Sequence, residues 1–146
     1  MRIDRRRSKR YRLELPIQFR IYLPSRPDVS SAFLSARLYD LSRSGIRLLT
    51  DTVQSGSLHI FHPDLTVSEQ SRLEIEIPDR ERTLTLVGRV VWYDSNTEEH
   101  PYAFRVGVDF VDPTPEDQKR ILSLIQRHDT PPPSTPSGES SPPSSE

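Results

Sequence analysis

From residue 12 onward, apolar and polar side chains alternate. Leu13, Leu15, Ile17, Phe19, Ile21 and Leu23 share one parity, while Arg12, Glu14, Gln18, Arg20 and Tyr22 share the other. Such strict alternation predicts a half-buried strand. Pro16 falls on the polar parity and removes one ladder donor, which points to an edge position or a bulge. Residues 24–31 are rich in Pro and Ser and read as a loop. A second strand follows over roughly 32–41, with Leu34, Ala36 and Leu38 inward, and a third over 46–50. The polar stretch between them, 40–45, reads as a turn in which Gly45 supplies a positive φ.

Residues 52–71 fit neither period. The short apolar run Leu58-His59-Ile60-Phe61 leaves room for a short strand or turn inside a loop insertion. Alternation resumes at Leu73, Ile75 and Ile77, with Glu74 and Glu76 facing water, and Pro78 to Glu81 reads as a turn. Over 84–93 both parities are apolar, as in a strand covered on both faces, and Gly88 marks a bend or bulge. After a polar hairpin loop at 94–101, Tyr102, Phe104, Val106, Val108 and Phe110 alternate through a last strand.

Thr114-Pro115-Glu116-Asp117 is a helix start. Thr caps, Pro is tolerated at the first helical position, and the acids complement the dipole. Ile121, Leu122, Leu124 and Ile125 form the apolar stripe of a helix ending near His128. The expected fold is therefore dominated by β-structure. It is a six-stranded antiparallel barrel, or a compact sandwich, with one C-terminal α-helix covering an open end or side. Residues 1–11 read as a flexible arginine-rich arm, 12–128 as the barrel and its helix, and 129–146, mostly Pro and Ser, as a disordered tail.

Composition adds limits. A chain of 146 residues suits one domain. It has no cysteine, which excludes disulfides and thiolate chemistry. No apolar run approaches the roughly 20 residues of a membrane span, and no signal-type segment follows the basic start, so the chain is expected in the cytoplasm. The net charge is −1, yet Arg2, Arg5, Arg6, Arg7, Lys9, Arg10 and Arg12 crowd the start with only Asp4 against them. Such a block marks an interaction site, while the near-neutral total argues against general nucleic-acid binding.

The chemistry concentrates in two stretches. A guanidinium stacks on an aromatic base and binds phosphate or the O6/N7 edge of guanine through two parallel hydrogen bonds. Two arginines four residues apart, Arg6 and Arg10, reach two faces or edges of one ligand. Asp40 offers acceptors for guanine N1–H and N2–H2, Ser42 offers a hydroxyl, and Gly45 lets backbone N–H groups approach closely. Together they match a ligand carrying both purine and phosphate. The other candidates are weaker. His59 and His62 have no third ligand nearby and read as plain loop residues. Ser42 lacks the surroundings of a nucleophile. Phe19, Phe104 and Phe110 have core parity, Phe33 does not, and Trp92 reads as a core or barrel-end residue. No set of groups points to a reaction, a cofactor or a metal.

Arg6-x-x-x-Arg10 followed by Asp40-x-Ser42-x-x-Gly45 resembles the signature of the PilZ domain, a family that binds the bacterial second messenger cyclic di-GMP. Leu15-Pro16-Ile17, the strand from Leu73 to Pro78, Gly88 to Trp92, Val106 to Phe110 and the following helix resemble the family pattern as well, over roughly residues 4–128. Residues 52–71 are longer than the usual link, and the tail is outside the pattern. The resemblance implies that Arg6 and Arg10 contact guanine and phosphate, that Asp40 and Ser42 hold the guanine edge, and that Gly45 shapes the turn. It also associates Arg5 with binding of two stacked nucleotides. The implied function is a non-catalytic cyclic di-GMP receptor whose arm closes over the ligand and whose changed surface is read by a partner protein. Two alternatives stand beside it: a barrel of the same type acting only as a protein-interaction adaptor, and a single-stranded nucleic-acid binder.

Overall fold

The computed structural model describes residues 9–56, 58–60, 70–80, 82–95 and 102–129. Arg5, Arg6 and His62 lie outside these residues, as do most of the expected arm and residues 130–146 of the expected tail. The elements are β1 (Tyr11–Arg12), β2 (Pro16–Leu23), β3 (Arg26–Ser30), β4 (Leu34–Leu41), β5 (Gly45–Thr50), β6 (Gln54–Ser55), β7 (Leu58–His59), β8 (Arg72–Asp79), β9 (Arg82–Ser95), β10 (Phe104–Phe110) and α1 (Pro115–Asp129).

Six strands close an antiparallel barrel in the order β4-β5-β10-β9-β8-β2, with β2 returning to pair with β4. The inward residues are those the alternation selects. Ile17, Phe19, Ile21, Leu73, Ile75, Ile77, Leu84, Leu86, Val106 and Val108 are all buried. Pro16, exposed and first in β2, separates that strand from β1. The linking residues 13–15 stay bonded to β4, with Leu38 N–H donating to the Leu15 carbonyl at 2.8 Å. Beyond the barrel, the stretch expected to be a loop at 24–31 contains β3, which folds back on β2 with Tyr22 opposite Ser30. Pro and Ser content hid this short edge strand.

Three other expectations need correction. The strand over 84–93 is covered on one face only. Leu84, Leu86 and Val90 are buried, whereas Val91 and Trp92 are 42% and 37% exposed. The irregularity in this region lies at Val91, which falls between the pairs Val108–Val90 and Gly107–Trp92. Gly88 is inward instead, where a Cβ would come within 2.3 Å of the Val108 side chain. Trp92 is accordingly an outer-face residue. Its indole lies against Gly107, where a Cβ would meet the ring at 2.3 Å. Within the insertion, β6 and β7 form a small hairpin whose Leu58 is buried, followed by buried Ile60.

The helix packs Ile121, Leu124 and Ile125 into the core, while Leu122, placed on the apolar stripe by its hydropathy, is 38% exposed. Its start is capped reciprocally. Asp117 N–H donates to Thr114 Oγ1 and Thr114 N–H donates to Asp117 Oδ2, each at 3.0 Å. Thr114→Ala removes one half of this box and is expected to cost about 1 kcal/mol in urea denaturation. Among the described residues no helix is long and apolar enough to cross a membrane.

Register places the functional elements at one end. Gln18 of β2 opposes Glu76 of β8, so the start of β2 lies level with the end of β8. Tyr11 of β1 opposes Leu41, the last residue of β4. The β4–β5 and β8–β9 turns therefore share the barrel end against which β1 and α1 pack.

Candidate functional site

The site begins with a bulge. Strict alternation from Leu34, Ala36 and Leu38 would carry Asp40 into the core. Instead the β4–β5 register shifts between Leu38 and Asp40, leaving Tyr39 as the extra residue. Leu38 and Leu41 are both fully buried, with two residues between them. The shift turns Asp40 off the inward parity and beside Arg47 of β5, with Arg12 of β1 on its other side. A carboxylate thus sits in a row between two arginines on neighbouring strands.

Asp40 is only 2% exposed, and both of its oxygens are engaged. Arg47 Nε donates to Oδ1 at 3.0 Å and to Oδ2 at 2.9 Å, and Arg47 Nη2 also donates to Oδ2. Arg10 Nη1 donates to Oδ1 at 3.2 Å. The hydrogen bond that Arg47 donates to Asp40 raises the Arg47 pKa above its ordinary value, against desolvation, which lowers it. Stability from such a raised group is fully present below its unfolded pKa and is lost as pH rises through its folded pKa. Arg47 therefore stays cationic at any neutral or acidic pH.

Tyr39, released by the bulge, is flanked by cations. The Arg12 guanidinium lies 4.1 Å from its ring centroid and that of Arg47 5.7 Å away. Lys9 lies over Tyr11 at 5.3 Å. Arg12 also pairs with Glu14. Arg43, at the turn tip, is exposed. The described barrel end therefore gathers Lys9, Arg10, Arg12, Arg43 and Arg47 around Asp40 and Glu14, a cationic surface carrying aromatic rings.

Ser42 is fully buried and spends its hydroxyl on its own turn. Its Oγ accepts from the N–H groups of Ser44 and Gly45, each at 3.2 Å, and its backbone N–H donates to the Gly45 carbonyl at 2.9 Å. This local bracing is what a serine offers a tight turn. Gly45 is needed for a reason other than the expected positive φ. A Cβ there would stand 2.3 Å from the Val108 carbonyl oxygen, so only glycine lets β5 and β10 approach this closely. The Ser44 carbonyl in turn accepts from Phe110 N–H at 2.9 Å, fixing the turn to β10.

The structure thus brings Arg10, Asp40, Ser42 and Gly45 to one barrel end, while Arg5 and Arg6 lie outside the described residues. Sequence reasoning missed Arg47 and Tyr39. The signal for both was the even spacing of Leu38 and Asp40, which placed a carboxylate on the core parity and so called for a bulge or a buried cationic partner.

Comparison with known proteins agrees with this architecture. The PilZ domain family matches residues 4–127. Among solved structures, the PilZ domain with c-di-GMP of YcgR from Escherichia coli superimposes with a TM-score of 0.59 at 20% identity, covering 86% of this chain and 92% of that one. The Bacillus subtilis inhibitor of motility (MotI/DgrA) gives 0.55 at 17% identity, covering 87% and 52%. MrkH, described as a c-di-GMP-dependent transcription regulatory factor, gives 0.53 at 18% identity, covering 86% and 51%. The chain spans about half the length of these last two proteins. No curated protein matches it.

Proposed function

Because the chain belongs to the PilZ domain family, we propose that it is a receptor for cyclic di-GMP, without catalytic activity of its own. The observation that carries this reading is Arg10 held on the buried Asp40 beside the braced 42–45 turn. Guanidinium N–H groups of Arg10 and Arg47 occupy the Asp40 acceptor positions that guanine N1–H and N2–H2 would take. Binding is then an exchange. Arg10 leaves Asp40 for a phosphate or the O6/N7 edge of the base, and the guanine amide edge takes its place, while Arg47 holds the carboxylate in position.

Arg6, four residues upstream, supplies the second guanidinium of the pair, and Arg5 is the position at which a second stacked nucleotide would be held. Ser42 and Gly45 act on the ligand by fixing the turn that exposes Arg43 and Ser44. Ordering the arm over this end changes the surface around β1 and α1, and a partner protein reads that change.

The adaptor alternative needs none of these cations. A single-stranded nucleic-acid binder would use them all against a long phosphate chain. Competition separates the readings. Labelled cyclic di-GMP should be displaced by the unlabelled compound and not by single-stranded oligonucleotides. Its affinity should fall only gently with salt, since about two phosphates are neutralised. Displacement by unrelated oligonucleotides, with a steep salt slope, would transfer the assignment to nucleic acid.

A further inference from the structure

A second group of arginines stands at the same barrel end, outside the Arg10–Asp40 site. Asp79, the last residue of β8, accepts from two helical guanidinium groups. Arg120 Nη2 lies 3.3 Å from Oδ2, and Arg127 Nη2 bonds to Oδ1. These pairs tie α1 to the β8–β9 turn and consume the Asp79 charge. The two arginines that follow are left over. Arg80, at a left-handed φ of 62°, and Arg82 are exposed and form no ion pair among the described residues. Glu81, between them, lies outside the described residues, and Glu116, one turn before Arg120, is exposed. The left-handed backbone at Arg80 is what the two-residue hairpin loop between the paired Asp79 and Arg82 demands. Here it belongs to the turn that sets both guanidinium groups beside Arg120 and Arg127.

The surface here is concave. One hollow of about 300 Å³ is walled by Asp79, Arg80, Arg82, Arg120 and Arg127. A neighbouring hollow of about 390 Å³ shares Asp79, Arg80 and Arg127 with it and adds Leu15, Pro16, Pro78 and His128. The shared walls make one trough, with a guanidinium half and an apolar half. A lone phosphate or carboxylate would use only the first. An extended acidic segment with an apolar side chain would use both, its carboxylates facing Arg80 and Arg82 and its apolar group resting on Leu15 and Pro78.

We propose that this trough docks an acidic, apolar-bearing segment of a partner protein. It gives a chemical class to the partner in the reading above and rests on that reading only for its coupling to nucleotide. Leu15, in one wall of the trough, belongs to the link directly after β1, five residues from Arg10, so the two sites share one stretch of chain.

The test uses the full chain and a short fluorescein-labelled peptide repeating Glu-Glu-Leu, without nucleotide. Binding at low salt is expected, with at least about a ten-fold loss in the Arg80→Glu/Arg82→Glu variant. Peptides repeating Gln-Gln-Leu or Glu-Glu-Ser should each bind more weakly. Both substituted positions are exposed, and a thermal melt checks the fold, with Arg82→Gln as the milder variant. Equal affinity in wild type and both variants would overturn the proposal. So would equal binding of the Gln peptide, or displacement by inorganic phosphate at the same concentration as unlabelled peptide. A wild-type protein that takes the peptide and no cyclic di-GMP supports the trough and sinks only the nucleotide reading. An Arg82→Glu variant that loses the peptide and keeps its cyclic di-GMP affinity separates the two sites.

Discussion

Arg10→Ala will weaken cyclic di-GMP binding about ten- to hundred-fold, the equivalent of about 1–3 kcal/mol for a guanidinium that reads a guanine edge or phosphate through paired donors. Arg10→Lys will recover only part of the loss, because an ammonium keeps the charge and not the planar fork. Stability will change little in either variant. The Arg10 bond to Asp40 is one contact at 3.2 Å from a side chain about a third exposed, and Asp40 keeps its two-donor contact with Arg47. This separation of affinity from stability is the useful signature. If Arg10→Ala unfolds the protein and leaves the affinity of the folded fraction intact, Arg10 is a structural residue and the exchange mechanism fails.

Arg47→Ala will do the reverse and act first on stability. It leaves a carboxylate that is 2% exposed with only Arg10 to satisfy it. Breaking a fully buried pair costs about 3–5 kcal/mol. Since the Arg47 side chain is 33% exposed and water can enter where it stood, about 2–3 kcal/mol is expected in urea denaturation. Asp40→Asn/Arg47→Ala should cost less than the two single substitutions added together, because the lone carboxylate is what makes the single change expensive. A loss of only a few tenths of a kcal/mol for Arg47→Ala would mean that the pair is solvated and does not organise the site. Nucleotide affinity should also drop in Arg47→Ala, by misplacing Asp40.

The barrel was legible because alternation is a direct image of a wall with one wet face. Period-two runs gave β2, β4, β8 and β10, short apolar runs gave β5 and β9, and Thr114 through Asp117 gave the helix start. Alternation alone does not locate the one-residue slips, although a carboxylate on the core parity at Asp40 marks the first of them. Both slips, at Tyr39 and Val91, are defined by the register against a partner strand distant in sequence or across a loop. The first places Asp40 beside Arg47, and the second turns Trp92 outward. Gly45 was read correctly as necessary and for the wrong reason, since close approach to the Val108 carbonyl is a tertiary fact. Arg10, Asp40 and Ser42 were singled out by motif, and of these Ser42 is buried and committed to its turn.

The central claim is that the cationic end around Asp40 recognises cyclic di-GMP. Isothermal titration calorimetry of the wild-type chain with this dinucleotide tests it most directly. Saturable heat with micromolar or tighter affinity is predicted, at one nucleotide per chain or two if Arg5 holds a second stacked copy. The signal should be largely lost in Arg6→Ala/Arg10→Ala protein that still melts cooperatively. A folded wild-type protein that gives no heat across the micromolar range would contradict the account and leave the barrel as an adaptor that works without nucleotide.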